Sequence, residues 1–300
     1  MSSTGRRQGP LHGTVAAIIT PLDSHAHLDL SSVPRVCRFL TAAGVDGLFV
    51  GGTTGEGLLL SLDERMALAE AVLDAATVPV VIHVGAHTTA ETVALIHHAA
   101  ARGAAGIAIM TPHFYPLDDL ALECHFAAAA AAAPALPRYV YTIPQFTGNA
   151  LSLRLAARLC TAHGYVGIKY SKCDLGGLRS LLGTVAGDVL IGCDALVLDA
   201  LRLGAVGTVS GGAGAFPELF VRLYRAFREG RAADAEEAQA RIDSVDRVVA
   251  AMPFVSAYKA ILRHRGVIPH AAVRPPLRGL SDDEWARLAR VMDGLEVIHA

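Results

Sequence analysis

"SLDERMALAEAVLDAATVPVVIHV" (61–84) places one helix-like and one strand-like segment in direct succession. It opens with Ser61-x-x-Glu64, the pattern in which hydroxyl and carboxylate each cap the other's backbone N–H at a helix start. Residues 61–76 then read as an amphipathic helix, and "VPVVIHV" (78–84) is a β-branched strand run. The same alternation extends outward in both directions. Strand runs are "TVAAIIT" (14–20), "GLFVGG" (47–52), "GIAIM" (106–110), "RYVYTI" (138–143), "VGIKY" (166–170), "VLIGC" (189–193) and "GTVSG" (207–211). Helix-like segments lie between them, with Ser152 and Asp194 as further candidate starts. Regular alternation implies βαβ units and a parallel sheet. Eight units predict an α/β fold of the closed (β/α)8, or TIM, barrel kind. A dinucleotide-binding sheet would want GxGxxG after an early strand; "GGTTGEG" (51–57) has neither that spacing nor a P-loop's. Strand signals stop after about residue 215, and 217–229, 232–249, 253–264 and 281–295 read as helices. The expected organisation is a loose N-terminus (1–12), a barrel (13–230) and an appended C-terminal helical domain (231–300).

Composition narrows the function classes. Of the 300 residues, 52% are hydrophobic and 18% charged, so a large core is possible, and the net charge of −2 comes with no basic run suited to nucleic acid. No uninterrupted apolar run reaches the roughly 18 residues of a membrane span. The polar start "MSSTGRRQGPLH" lacks the apolar core of a signal peptide. "AAAAAAAPAL" (127–136) reads as a solvent-side helix. Five scattered cysteines without a CxxC predict reduced thiols in a cytoplasm. Thirteen histidines show no HExxH and no carboxylate cluster at ligand spacing, so no metal and no cofactor is expected.

Barrel active sites lie at the C-terminal ends of the strands. Those ends collect Thr20, the turn 51–56, His83 to Gly85, Thr111 to Tyr115, Tyr141 to Pro144, Lys169 to Ser171, Cys193, Asp194, Ser210 and Gly211. Lys169 stands out because the chain has three lysines against 23 arginines. A desolvated amine loses its proton and becomes a nucleophile for a ketone, which a guanidinium cannot do. The resulting iminium is an electron sink for C–C cleavage. A lysine that snorkels to solvent or pairs with a carboxylate is the structural alternative. Lys172 falls in the following loop. In "GGTTGEG", glycines and two hydroxyls suit a carboxylate; a plain capped turn is the alternative. Tyr141 is placed to relay a proton, or else is a core aromatic with its hydroxyl at the rim.

Gly52-Thr53-Thr54-Gly55-Glu56, then Tyr141-Thr142-Ile143-Pro144, then Gly167-Ile168-Lys169 resemble the dihydrodipicolinate synthase / N-acetylneuraminate lyase family. The similarity runs from "GTVAAIITPL" (13–22) to "KAILRHRGVIPHAAVRPPLRGLS" (259–281). It implies a TIM barrel with C-terminal helices, a homotetramer built from dimers, and class I chemistry on pyruvate or another 2-keto acid with an aldehyde. By this resemblance Lys169 forms the Schiff base, Tyr141 relays the proton, and Thr53 and Thr54, with Gly52 in the same turn, hold the keto-acid carboxylate.

Departures separate the members. The synthases resemble "YNVPxRTG" after the fifth strand, with an arginine for the second substrate's carboxylate; here "YTIPQFTG" puts Phe146 there. They also carry two tyrosines after Thr-Pro, the second reaching a neighbouring subunit's site; here "TPHFYP" (111–116) offers His113, Phe114 and Tyr115. Sialic acid lyases resemble Gly-x-Asp-Glu after strand seven, and here Asp194 is followed by Ala195. Arg138 lies at the wrong end of the fifth strand to replace the missing cation. The reading is a lyase acting on a different 2-keto acid, with Ser171, Asp194, Ser210 and Gly211 lining the variable end. A synthase-like condensation, a keto-sugar-acid dehydratase and a non-catalytic keto-acid sensor are the alternatives.

Overall fold

The computed structural model describes residues 9–294. Eight strands form one closed parallel barrel in chain order. They are β1 (Gly13–Ala17), β2 (Gly47–Val50), β3 (Val80–His83), β4 (Gly106–Met110), β5 (Arg138–Thr142), β6 (Gly167–Tyr170), β7 (Asp188–Ile191) and β8 (Gly207–Ser210). The surrounding helices begin with α1 (Val33–Ala43), α2 (Leu62–Ala75), α3 (Thr89–Ala101), α4 (Asp119–Ala132), the single turn α5 (Pro144–Thr147) and α6 (Leu153–Thr161). They continue with α7 (Leu175–Thr184), α8 (Val197–Leu203), the turn α9 (Gly212–Ala215) and α10 (Pro217–Arg228). Three more follow: α11 (Ala232–Val249), α12 (Phe254–His264) and α13 (Asp282–Asp293). The expected helix 281–295 thus ends at Asp293, and residue 295 lies outside the described residues.

Strand alternation divides the core in two. On β5, Tyr139 and Tyr141 point into the barrel with Phe49, Val81, Met110 and Leu190, while Val140 joins the layer between strands and helices. Both capping predictions at serine hold: Ser61 and Glu64 cap α2 reciprocally, and Ser152 accepts from the Leu155 N–H to start α6. Asp194 does not cap a helix. It opens a short 3-10 turn, and its side chain turns into the barrel mouth instead. The Ala-rich segment of α4 is not wholly solvent-facing either, because Phe126, Ala129 and Ala130 are buried against the barrel.

Two further expectations change. Residues 1–8 of the expected loose terminus lie outside the described residues, but 9–12 are firmly held. Leu11 is buried in the barrel and its N–H donates to the Tyr139 hydroxyl at 3.0 Å, while the Gly9 N–H donates to Asp188 at 2.7 Å. An apolar side chain under an open barrel end excludes water there, which holds the segment in place. The thiols are not all reduced: Cys173 and Cys193 form a disulfide, leaving Cys37, Cys124 and Cys160 free. Twenty positions separate the pair, yet each follows the end of one of two adjacent parallel strands, which brings their Cα atoms to 5.4 Å.

Candidate active site

Register sets the centre of the site. Tyr141 on β5 pairs directly with Lys169 on β6, so both side chains enter the barrel at one level. The Lys169 amine lies 3.8 Å from the Tyr141 ring centroid and 4.3 Å from that of Phe49. Lys169 is 5% exposed, and no ion pair to it occurs among the described residues. Burial pushes its pKa down to about 7, against a smaller upward pull from Asp194. A substantial fraction of neutral amine therefore exists near neutral pH.

The Tyr141 hydroxyl lies 3.0 Å from Thr53 Oγ1, within hydrogen-bond reach. Its pKa is pushed up to about 12 by burial, with Thr53 and Ser171 pulling the other way, so it keeps its proton and can give it to a bound oxygen. Thr53 and Thr54 come from the turn after β2, beside the amine. That turn is braced from outside. Glu56 adopts a left-handed φ of 56°, its carboxylate accepts the Arg274 N–H at 2.6 Å, and it pairs with Lys259 of α12 at 2.5 Å.

A cavity of about 260 Å³ unites Thr53, Thr54, Tyr141, Lys169, Ser171, Asp194 and Gly211. Two other expected residues sit elsewhere. Ser210 is buried behind Asp194 and accepts from the Ala213 N–H at 3.0 Å. Gly52 lines a neighbouring apolar cavity with His83, His113, Phe146 and Phe254. Burial pushes the Asp194 pKa up to about 7, with Ser210 and the Gly212 N–H opposing and the Asp246 charge adding to the rise. Lys172, as its loop position suggested, is exposed and pairs with Asp174 at 3.0 Å. Arg138 points outward at the far end of β5, donating to the carbonyls of Ala133, Pro134 and His163. Phe114 and Tyr115 are exposed, and the His113 ring rests 4.4 Å from that of His87.

Several site residues escaped the sequence reading. A Cβ at Gly192 would overlap the Ser171 hydroxyl and stand 3.3 Å from Lys169 Cε, so the bare backbone there makes room for both. A glycine at a strand end was the available signal. Phe254 and Tyr258 of α12, Asp246 of α11 and Cys173 also wall the cavity, beside Cys193, which was among the strand-end candidates. Nothing local marked the helical residues, since they reach the site only through tertiary packing.

The dihydrodipicolinate synthetase family model matches residues 10–294. The chain belongs to this family. It is similar to 4-hydroxy-tetrahydrodipicolinate synthase of a Synechococcus strain, 35% identical over 292 residues, with 95% of this chain and 96% of the relative covered. It is 34% identical over 281 residues to a probable 2-dehydro-3-deoxy-D-pentonate aldolase of Escherichia coli K12, covering 89% and 93%. Among solved structures, the E. coli K12 prophage protein YagE in complex with pyruvate superposes with a TM-score of 0.91 at 29% identity, covering 96% and 99%. The chain is accordingly an enzyme of the lyase and aldolase kind. No helix of the described residues is long and apolar enough to cross a membrane.

Proposed function

We propose that this enzyme makes or breaks a C–C bond of a 2-keto acid, with pyruvate as donor or product, through a Schiff base on Lys169. One observation carries the reading: a buried amine with no ion-pair partner among the described residues, its pKa lowered to about 7, faces a tyrosine whose hydroxyl reaches Thr53. The neutral amine attacks the C2 ketone, and Tyr141 passes the proton that lets the carbinolamine lose water. The iminium then draws the electron pair of the C3–C4 bond as the C4 hydroxyl loses its proton. An aldehyde leaves, and the enamine of pyruvate is protonated at C3 and hydrolysed back to free amine and pyruvate. Thr53 and Thr54 hold the carboxylate through hydroxyl and turn N–H donors. Ser171, Asp194 and Gly211, with Ser210 behind, line the variable end.

Phe146 favours cleavage over synthase chemistry. Its exposed ring stacks on Phe254 at 6.4 Å, and an apolar ring offers no paired N–H donors to a charged second substrate. A homotetramer and a cytoplasmic location belong to the same proposal. The exposed Phe114 and Tyr115 on one loop support association; for the compartment, the three free thiols speak for a reducing one and the Cys173–Cys193 disulfide speaks against it. A panel of 2-keto-3-deoxy acids assayed for pyruvate release, beside a coupled assay of pyruvate with aspartate semialdehyde, tests the reading. Pyruvate release from at least one such acid and negligible semialdehyde turnover are expected. Semialdehyde turnover with kcat/KM of about 10⁴ M⁻¹s⁻¹ or more would restore the synthase alternative.

A further inference from the structure

Three polar side chains from separate elements line the Lys169 cavity. Asp194 follows β7, Asp246 lies on α11 and Tyr258 on α12. Helix α11 is fastened to the Asp194 turn by Gln239, whose amide donates to the Asp194 carbonyl at 3.0 Å and accepts from the Leu198 N–H at 2.9 Å. Asp246 is seven residues after Gln239, on the same helix face, so this fastening aims Asp246 at the cavity. Tyr258 is held edge-on by Phe254, with ring centroids 6.2 Å apart. Its ring edge fills the place where Gly211 lacks a side chain: a Cβ there would stand 2.8 Å from Tyr258 Cε2 and 2.7 Å from Thr54 Oγ1.

Tyr258 is only 7% exposed, and its hydroxyl has no hydrogen-bond partner among the described residues. Its pKa is raised by burial and further by the charges of Asp194 and Asp246. Tyr258 lines the cavity, so its hydroxyl is open to a hydroxyl group of whatever enters. Among the described residues, Lys169 is the one cation of this cavity, and in the iminium its charge sits at C2 beside the keto-acid carboxylate and not at the far end of the chain. Two carboxyl groups and a phenol offer donors and acceptors to hydroxyls, and the carboxyl groups repel a second anion.

We propose that Tyr258 and Asp246 are specificity-determining residues that, with Asp194, bind hydroxyl groups on the substrate chain beyond the cleaved bond and disfavour a carboxylate there. This rests on the Schiff-base reading and names the substrate class of that site: a hydroxylated, uncharged aldehyde.

The test uses the whole enzyme with pyruvate and glyceraldehyde, propanal or succinic semialdehyde. Wild-type enzyme should prefer glyceraldehyde to propanal in kcat/KM. Tyr258→Phe should lower that preference about tenfold, since a lost hydroxyl contact acts only on the substrate that uses it. Borohydride should still trap one pyruvate per chain in that variant. Asp246→Asn should raise turnover of succinic semialdehyde relative to glyceraldehyde. If Asp246→Asn does not fold, Tyr258→Phe alone decides. A Tyr258→Phe preference within about twofold of wild type overturns the inference. So does a wild-type enzyme that traps pyruvate yet shows no preference, or uses neither aldehyde. Wild-type enzyme that traps no pyruvate overturns the Schiff-base reading itself, and this inference with it.

Discussion

Lys169 and Lys259 are both buried, with 5% and 0% of their surfaces exposed, and their surroundings are opposite. Lys259 touches the Glu56 carboxylate at 2.5 Å and donates to the Ala272 carbonyl at 2.7 Å. Burial lowers its pKa, and Glu56 pulls it back up. Lys169 faces two aromatic rings and has no carboxylate in ion-pair contact among the described residues. Burial alone therefore does not make a lysine a nucleophile. Desolvation disfavours charge at both sites, and only a contacting carboxylate restores it. Lys259 braces the turn that carries Thr53 and Thr54; Lys169 lies beside that turn without such a partner among the described residues, as the proposed Schiff-base role requires.

The comparison breaks most completely at Lys169→Arg. A guanidinium keeps its charge and its proton, so pyruvate release should vanish, and the buried charge without a partner should lower the thermal midpoint while the cooperative unfolding transition remains. Residual turnover of more than a trace would mean that the amine of Lys169 is not the nucleophile. Tyr141→Phe removes one hydroxyl from the reactive side, and turnover is expected to fall about 10²–10⁴-fold. A loss under about threefold, measured under saturating substrate, would remove Tyr141 from the relay.

On the structural side, Glu56→Gln leaves Lys259 buried without its counter-charge. Breaking a buried pair from one side costs about 3–5 kcal/mol, readable by urea unfolding. The double variant Glu56→Gln/Lys259→Met should recover part of that loss. A cost below about 1 kcal/mol for Glu56→Gln would show that Lys259 is not held as a charged strut. The smallest effect sits where the two regions meet. Thr53→Val or Thr54→Val should weaken pyruvate binding by about 1.5–3 kcal/mol, as expected when a carboxylate loses a hydroxyl donor. Unchanged affinity in both would place the carboxylate elsewhere.

Sequence reading reached the barrel because its signals are local. β-Branched runs and caps recur every unit, and β4 was delimited to the residue. The centre of the site was legible for the same reason, since strand-end position and alternation suffice to bring Lys169 and Tyr141 inward. What stayed hidden depends on distant contacts. Glu56 and Lys259 are about two hundred positions apart, and no periodicity announces their pairing. Asp246 and Tyr258 look like ordinary helix residues until α11 and α12 fold over the barrel mouth. Asp194 was read as a helix start, and a 3-10 turn does begin there and runs into α8; what the sequence did not state is that its side chain enters the barrel mouth and does not cap. The Cys173–Cys193 bond needed the adjacency of β6 and β7, which spacing alone does not state.

The most direct measurement is borohydride reduction of the enzyme with pyruvate, followed by peptide mass spectrometry at each lysine. One reduced pyruvyl group on Lys169 is expected, with none on Lys259 or Lys172. The initial trapping rate should rise from about pH 6 and level off above about pH 8. The nucleophile is the neutral amine, and raising the pH through a pKa of about 7 fills that form. An adduct on Lys259 or Lys172, or no adduct on Lys169, would contradict the account.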